Sequence, residues 1–132
     1  MTLKLKRFNE GVWFDYPAGG RFKIRPLGPK DYLTIREASR KGKIAVFKGS
    51  SQFEIVDDYD EAKFFWATFS YMLQAWEGIE VDGASTDDEI REAIFNDKDI
   101  RDFITDKANE IFLNAQQSME EESKNSKRSQ DG

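Results

Sequence analysis

The sequence predicts an α+β fold, with an N-terminal antiparallel β-hairpin or small sheet followed by a bundle of three to four helices. Two short segments of β-type pattern, residues 12–16 and 21–27, flank a loop that contains Pro17 and two glycines. This arrangement is typical of a β-hairpin. Further along the chain, apolar residues recur at helical spacing between residues 58 and 78 and again between residues 97 and 115.

A single domain is expected, because 132 residues are enough for one hydrophobic core. From residue 116 onward only Met119 is apolar, so this segment cannot bury enough surface to offset the entropy lost on ordering it. We therefore expect one α+β domain and a disordered polar tail. The domain covers residues 1–115, with the hairpin region at 1–27 and the helical region at 58–115, and the tail covers residues 116–132.

The N-terminal strands are expected to form a sheet with one apolar face. Residues 3–6 alternate between Leu and Lys, which predicts an edge strand with its lysines in solvent. In the second strand of the hairpin, Phe22 and Ile24 point towards one face. The opposite face carries the basic side chains Arg21, Lys23 and Arg25.

Between the hairpin and the central helix, the sequence predicts a short helix and leaves one segment open. The short helix is expected from about residue 30 to residue 40, and Gly42 and its flanking lysines end it. Residues 44–56 contain two short β-type runs around Gly49. These runs are compatible with a second hairpin or with a mobile loop.

The pattern of residues 58–78 predicts one long amphipathic helix at the centre of the core. Asp58 and Glu61 have the spacing of an N-terminal capping box, and Gly78 is suited to ending a helix. The main apolar stripe and the turn after it are expected to be structural, and they comprise Phe65, Phe69, Met72, Leu73, Trp76 and Gly78. The aromatic residues off this stripe are candidate partner-binding residues, together with the basic hairpin residues: Phe64, Trp66, Tyr71, Arg21, Lys23 and Arg25.

Two further helices are expected before the tail. Ser85 and Thr86, followed by acidic residues, predict a capped helix that reaches about Phe95. Asn96 or Asp97 can cap the last helix, whose apolar residues keep helical spacing.

The composition argues against an enzyme. Cysteine and histidine are both absent, which removes thiolate nucleophiles, the usual zinc sites and the commonest general base. The acidic clusters at residues 57–61 and 82–89 lack the spacing of a calcium-binding loop and are better explained as helix caps. We therefore expect no catalytic residues, no metal and no cofactor. No segment resembles a membrane span or a signal peptide, so a soluble, non-secreted protein without a membrane partner is expected.

Charge is distributed unevenly along the chain. Residues 1–48 contain 12 Lys and Arg and 4 Asp and Glu, whereas residues 49–132 contain 8 and 21. Such a division could hold the two halves together, drive head-to-tail association, or present two differently charged surfaces to two partners. The basic residues of the hairpin, interleaved with aromatic rings, have the composition of a nucleic-acid interface. Because the chain as a whole is acidic, nucleic acid is an unlikely partner.

The C-terminal half carries a series of motifs that resembles a known family. A helix closing on Trp76-Glu77-Gly78-Ile79, an acidic turn ending at Asp82-Gly83 and a capped helix resemble the tail assembly chaperones of long-tailed phages and prophages. The resemblance covers about Phe64 to Asn114, although Ala84 stands where the family often carries Pro. The later residues that share the pattern are Ile90, Ile94, Asp99, Phe103, Ile104, Ala108 and Asn114.

This resemblance implies a non-enzymatic protein that acts in the cytoplasm of a bacterial host. It would bind the tape-measure protein reversibly during tail assembly, and a longer frameshifted form of such proteins often recruits the tail-tube protein. Two alternatives remain open. One is another virion component, such as a head–tail connector or a tube-associated protein. The other is a small nucleic-acid-binding module that uses Arg21, Lys23 and Arg25.

Overall fold

The structure is a computed structural model that describes residues 2–4, 10–49 and 51–130, with side chains as far as Ala115. It confirms the predicted α+β fold, with small antiparallel sheets and helices. The elements of these residues are, in chain order, β1 (Val12–Asp15), β2 (Arg21–Ile24), α1 (Pro29–Ala38), β3 (Arg40–Phe47), β4 (Phe53–Tyr59), α2 (Glu61–Met72), β5 (Leu73–Glu77), α3 (Asp87–Asn96) and α4 (Lys98–Gln130).

The predicted N-terminal hairpin is confirmed. Strands β1 and β2 pair antiparallel, and the turn between them is closed by a hydrogen bond from the Tyr16 N–H to the Gly20 carbonyl. As predicted from the alternation, Phe22 and Ile24 are fully buried on one face of β2. An edge strand is expected at residues 3–6. Leu3 and Lys4 lie in no strand, and residues 5 and 6 lie outside the part of the chain that the structure describes.

The prediction of one helix over residues 58–78 is wrong at its C-terminal end. Helix α2 ends at Met72, and the next five residues form β5, which pairs antiparallel with β2. The predicted cap is also displaced, because the carboxylate of Asp60 rather than Asp58 accepts the hydrogen bond of the Lys63 N–H at 3.0 Å. Gly78 adopts the left-handed conformation as expected, with φ of 71°, but it follows a strand instead of a helix.

Long-range hydrogen bonds explain why the helix stops early. The last carbonyls of a helix have no partner within the helix and need donors from elsewhere. Arg25 donates from its side chain to the Tyr71 carbonyl at 2.6 Å and from its backbone N–H to the Met72 carbonyl at 2.9 Å. From α3, the guanidinium of Arg91 donates to the carbonyls of Ser70 and Leu73. These donors satisfy the helix end and allow the chain to continue as a strand.

The core lies between the inner face of the three-stranded sheet β1-β2-β5 and helices α2, α3 and α4. On the sheet, Phe22 lies opposite Trp76, and Ile24 lies opposite Leu73. The ring of Phe22 packs near Phe103 of α4, with 6.4 Å between centroids. The buried apolar residues are Phe22, Ile24, Phe69, Leu73, Ile94, Ile104 and Ala108.

The structural role predicted for the α2 stripe holds for four of its five large residues and fails for one. Phe69 and Leu73 are buried, and Met72 and Trp76 are half-buried against the core. Phe65 is wrong as a core residue, since 57% of it is exposed. Phe65 lies in the part of the stripe that is helical as predicted, but its ring meets Phe95 at the surface instead of entering the core.

The two predicted C-terminal helices are present. Thr86 caps α3 by accepting the Glu89 N–H, and Asp97 caps α4 by accepting the Ile100 N–H. The backbone of α4 extends to Gln130, into the segment that the composition predicts to be a polar tail.

Gly20 provides a test of the close approach between the hairpin turn and the end of β5. It has a φ of +74°, and a Cβ atom there would lie 3.0 Å from the Gly78 carbonyl oxygen. We expect Gly20→Ala to lower the free energy of unfolding by about 2–3 kcal/mol, because the left-handed backbone costs about 1–2 kcal/mol and the contact adds to it. Gly83→Ala is the control, since its φ of +76° is similar but nothing lies within 4 Å. Equal losses in urea titration would contradict the close approach.

Candidate protein-interaction surfaces

Residues 40–59 form an antiparallel β-hairpin, here called the arm, in which many apolar side chains are exposed. The sequence left this segment open between a hairpin and a mobile loop, and strands β3 and β4 show the hairpin. Neither strand pairs with another strand in the part of the chain that the structure describes. The exposed large apolar side chains of the arm are Ile44, Val46, Phe47, Phe53 and Ile55.

The register of the arm places these side chains on two faces. Residues directly opposite each other in an antiparallel pair point to the same face. One face carries Ile44 opposite Val56. The other face, here called the aromatic face of the arm, carries the pairs Lys43–Asp57, Ala45–Ile55 and Phe47–Phe53. On the aromatic face, the rings of Phe47 and Phe53 are 5.4 Å apart, and both residues are at least 60% exposed.

The base of the arm is fastened to helices α1 and α2. The Asp60 N–H donates to the carbonyl of Ser39, a buried residue at the end of α1, at 2.8 Å. The guanidinium of Arg36 stacks 3.7 Å from the ring centre of Tyr59 and forms an ion pair with Glu61. The hydrogen bond to Glu61 raises the pKa of Arg36. The arm therefore leaves the domain from an ordered base.

The two strands of the arm carry opposite charges. Strand β3 contains Arg40, Lys41 and Lys43 and no acidic residue, and Lys48 follows it. Strand β4 contains Glu54, Asp57 and Asp58 and no basic residue. Some of these groups pair across the arm, with ion pairs from Arg40 to Asp57 and from Lys48 to Glu54. Because these four side chains remain 40–58% exposed, the arm presents one basic and one acidic edge to its surroundings.

A second exposed surface, here called the α2 aromatic surface, is formed by Phe65, Trp66 and Phe95. Phe65 and Trp66 lie side by side on α2, and each makes an edge-type contact with the ring of Phe95 on α3. Trp66 and Phe95 are half-buried, whereas Phe65 is mostly exposed. The three rings thus form a continuous apolar patch that is anchored on the core through Phe69.

The structure separates the predicted partner-binding residues into different environments. Trp66 belongs to the α2 aromatic surface, and Phe64 is half-buried with its ring against Tyr32 of α1. Arg21 lies on the outer face of the sheet, where it forms an ion pair with Glu77 and stacks on Trp13. Lys23 lies opposite Trp13 on the same face. These residues are therefore not brought together as one site.

Tyr71 and Arg25, also predicted to bind a partner, are instead engaged within the fold. The Tyr71 hydroxyl donates to a carboxylate oxygen of Asp31 at 2.7 Å, and the guanidinium of Arg25 lies 3.7 Å from the centre of the Tyr71 ring. Burial, together with the hydrogen bond to Asp31, raises the pKa of Tyr71. With Arg25 also bonded to the Tyr71 carbonyl, this pair has a structural role at the end of α2.

No family model, curated protein or solved structure matches this chain. Among the described residues, no helix is long and apolar enough to cross a membrane, and no three His, Cys, Asp or Glu side chains are grouped to hold a metal ion.

An open groove of about 360 Å³ lies between the β1–β2 turn and the start of α4. Its walls include Tyr16 and Phe103 together with the carboxylates of Asp99, Asp102 and Asp106. These acidic side chains lie on one face of α4 at the helical spacings i, i+3 and i+7. The groove is therefore acidic and open to solvent.

Sequence reasoning did not single out the arm or Phe95 as interaction residues. The alternation of apolar side chains in residues 44–47 and 53–56 was visible, and it predicted strands. The signal that could have pointed to an exposed arm is the apolar content on both faces of a hairpin with no third strand to cover it. Whether such a strand exists depends on the rest of the fold, so local sequence does not decide it.

Proposed function

We propose that this chain is a non-enzymatic tail assembly chaperone of a long-tailed phage or prophage, which binds the tape-measure protein reversibly in the host cytoplasm. The observation that carries the proposal is the α2 aromatic surface, an apolar patch that includes the mostly exposed Phe65. The resemblance of the region from Phe64 to Asn114 supplies the identity of the partner. The surface and the resemblance involve the same part of the chain.

The chemistry of the patch suits this partner. An amphipathic helix can lay its apolar side against exposed rings, which shields it until its final partner arrives. A contact built on a few rings buries little area and releases its partner readily, as a chaperone requires. Aromatic side chains are also the residues most often found at the energetic centre of such contacts.

The proposal is tested by size-exclusion chromatography with light scattering, using the tape-measure protein of the same phage or prophage. At low salt we expect a mixed complex, and we expect Phe65→Glu to weaken it about tenfold or more, because a charge is introduced into the apolar contact. Leu113→Glu is the control, since Leu113 is 56% exposed but lies on α4. If wild-type protein forms no complex at low salt, the tape-measure partner is wrong.

The alternative of a virion component is favoured by one observation: neither edge of the arm pairs with another strand of the described residues. A closed ring or tube of the pure protein that persists on dilution would support that alternative over the chaperone. The nucleic-acid alternative has less support than the sequence suggested. Of its three basic residues, Arg25 is tied to the end of α2 and Arg21 is paired with Glu77.

A further inference from the structure

We propose that the arm joins copies of this chain head to tail, with the acidic edge of β4 on one copy pairing with the basic edge of β3 on the next. This inference goes beyond the proposed function, and it concerns contacts of the chain with itself. It rests on three features of the arm: unpaired edges, exposed apolar faces and opposite charges on the two strands.

Both edges of the arm have backbone groups available for pairing. The Lys48 N–H donates to the Gln52 carbonyl at 2.9 Å, so these two residues form a hydrogen-bonded pair. In an antiparallel hairpin, such pairs alternate with pairs whose residues do not hydrogen-bond to each other. Every second residue along each strand therefore directs its backbone N–H and C=O groups away from the other strand of the arm. On β3 these residues are Lys43, Ala45 and Phe47, and on β4 they are Phe53, Ile55 and Asp57.

Charge decides which edges can meet. Pairing β3 with β3 of a second copy would bring together two strands whose charged side chains are all basic, and pairing β4 with β4 would bring together two strands whose charged side chains are all acidic. Like charges placed opposite each other destabilise a strand pair, whereas opposite charges stabilise it. Pairing β4 with β3 instead brings opposite charges together, and it requires two copies in the same orientation.

The side chains fit this combination without a shift in register. When a second arm is placed beside the first at the same level, Asp57 lies opposite Lys43 of the next copy. Ile55 then lies opposite Ala45, and Phe53 lies opposite Phe47. The three residue pairs that lie opposite each other within one arm are thus also opposite each other between neighbouring copies. The aromatic face of the arm therefore continues from one copy to the next. The residues that meet are also those whose backbone groups point outward.

Such an interface leaves one basic and one acidic edge free at the two ends of every open assembly. Growth therefore continues beyond a dimer, either as an open chain or until a ring closes. A single strand-to-strand contact buries a small area, so the association is expected to be weak and to reverse on dilution. It is also expected to weaken with salt, because the charges involved are exposed.

The test uses the absence of native cysteine, which makes single-cysteine variants unambiguous. Ala45→Cys and Ile55→Cys proteins, one enlarged by a tag, are mixed at low salt and treated with a short bis-maleimide. We expect the mixed cross-link to exceed each self cross-link about fivefold or more, because only it joins opposite edges. The control mixture pairs Ala45→Cys with Lys98→Cys, since Lys98 is exposed at the start of α4.

Light scattering of the wild-type protein supplies a second readout. We expect the average mass to rise with concentration past that of a dimer and to fall when salt is added. The proposal is overturned if the self cross-links equal the mixed one, if no cross-link exceeds the control, or if the mass stops at a dimer. These experiments contain no tape-measure protein. Their failure would therefore not contradict the proposed chaperone role, which is tested separately.

Discussion

Truncating Phe69 is expected to lower the free energy of unfolding by about 3–5 kcal/mol, whereas truncating Phe65 costs less than about 1 kcal/mol. The two residues are one helical turn apart on α2 and have the same side chain. Phe69 is 2% exposed and lies between Trp66 and Phe95, with the Phe95 ring centre at 5.1 Å. Removing its ring leaves a cavity in the core, but removing the largely hydrated ring of Phe65 does not.

Urea titration of Phe69→Ala and Phe65→Ala measures this difference directly. Phe69→Leu is a third variant, expected to fall between the other two, and it keeps the test valid if Phe69→Ala does not fold. Comparable losses for the two alanine variants would mean that Phe65 is as buried as Phe69. That result would remove the α2 aromatic surface and, with it, the observation on which the proposed function rests.

The parts of the fold that the sequence predicts correctly are those decided by neighbouring residues. The hairpin β1–β2 follows from two short strands and a turn with Pro17 and two glycines. Helices α3 and α4 begin where Thr86 and Asp97 can accept a nearby backbone N–H. In each case the stabilising contact joins residues a few positions apart, so it is visible in the sequence.

Strand β5 could not be predicted in this way. Residues 73–77 continue the helical stripe of α2, and nothing in Leu73, Gln74 or Ala75 disfavours a helix. They form a strand because β2, about 50 residues earlier in the chain, offers its edge for pairing. Tertiary contacts override local propensity here. The side-chain donors that end α2 also come from elsewhere in the chain, from Arg25 and Arg91.

The candidate interaction surfaces show a second limit of sequence reasoning. The rings on α2 could be assigned to a helix, but their division into buried and exposed members depends on how α3 and the sheet cover that helix. Phe65 was therefore placed in the core, although it is exposed. The charges of the arm are readable in the sequence, but their separation onto two free edges requires the register of β3 and β4.

The end of α2 leads to the second large prediction. Arg91→Met is expected to lower the free energy of unfolding by about 2–3 kcal/mol, because it removes charged donors from two backbone carbonyls. The guanidinium of Arg91 donates to the Leu73 carbonyl at 2.6 Å and to the Ser70 carbonyl at 3.2 Å, and it lies 5.0 Å from the ring centre of Trp76. Burial lowers the pKa of Arg91, but an arginine side chain stays protonated in proteins.

The conservative variant Arg91→Lys is expected to restore less than half of the loss, since a single ammonium cannot match the fork of a guanidinium on two carbonyls. Arg21→Met is the control, because Arg21 pairs with Glu77 at the surface and its loss should cost less than about 1 kcal/mol.

Hydrogen exchange then shows which part of the domain Arg91→Met destabilises. If Arg91 holds the junction of α2 and β5, its loss lowers amide protection first in residues 73–77. Uniform loss of protection across the domain, or a stability change no larger than that of Arg21→Met, would show that the early end of α2 does not depend on this arginine.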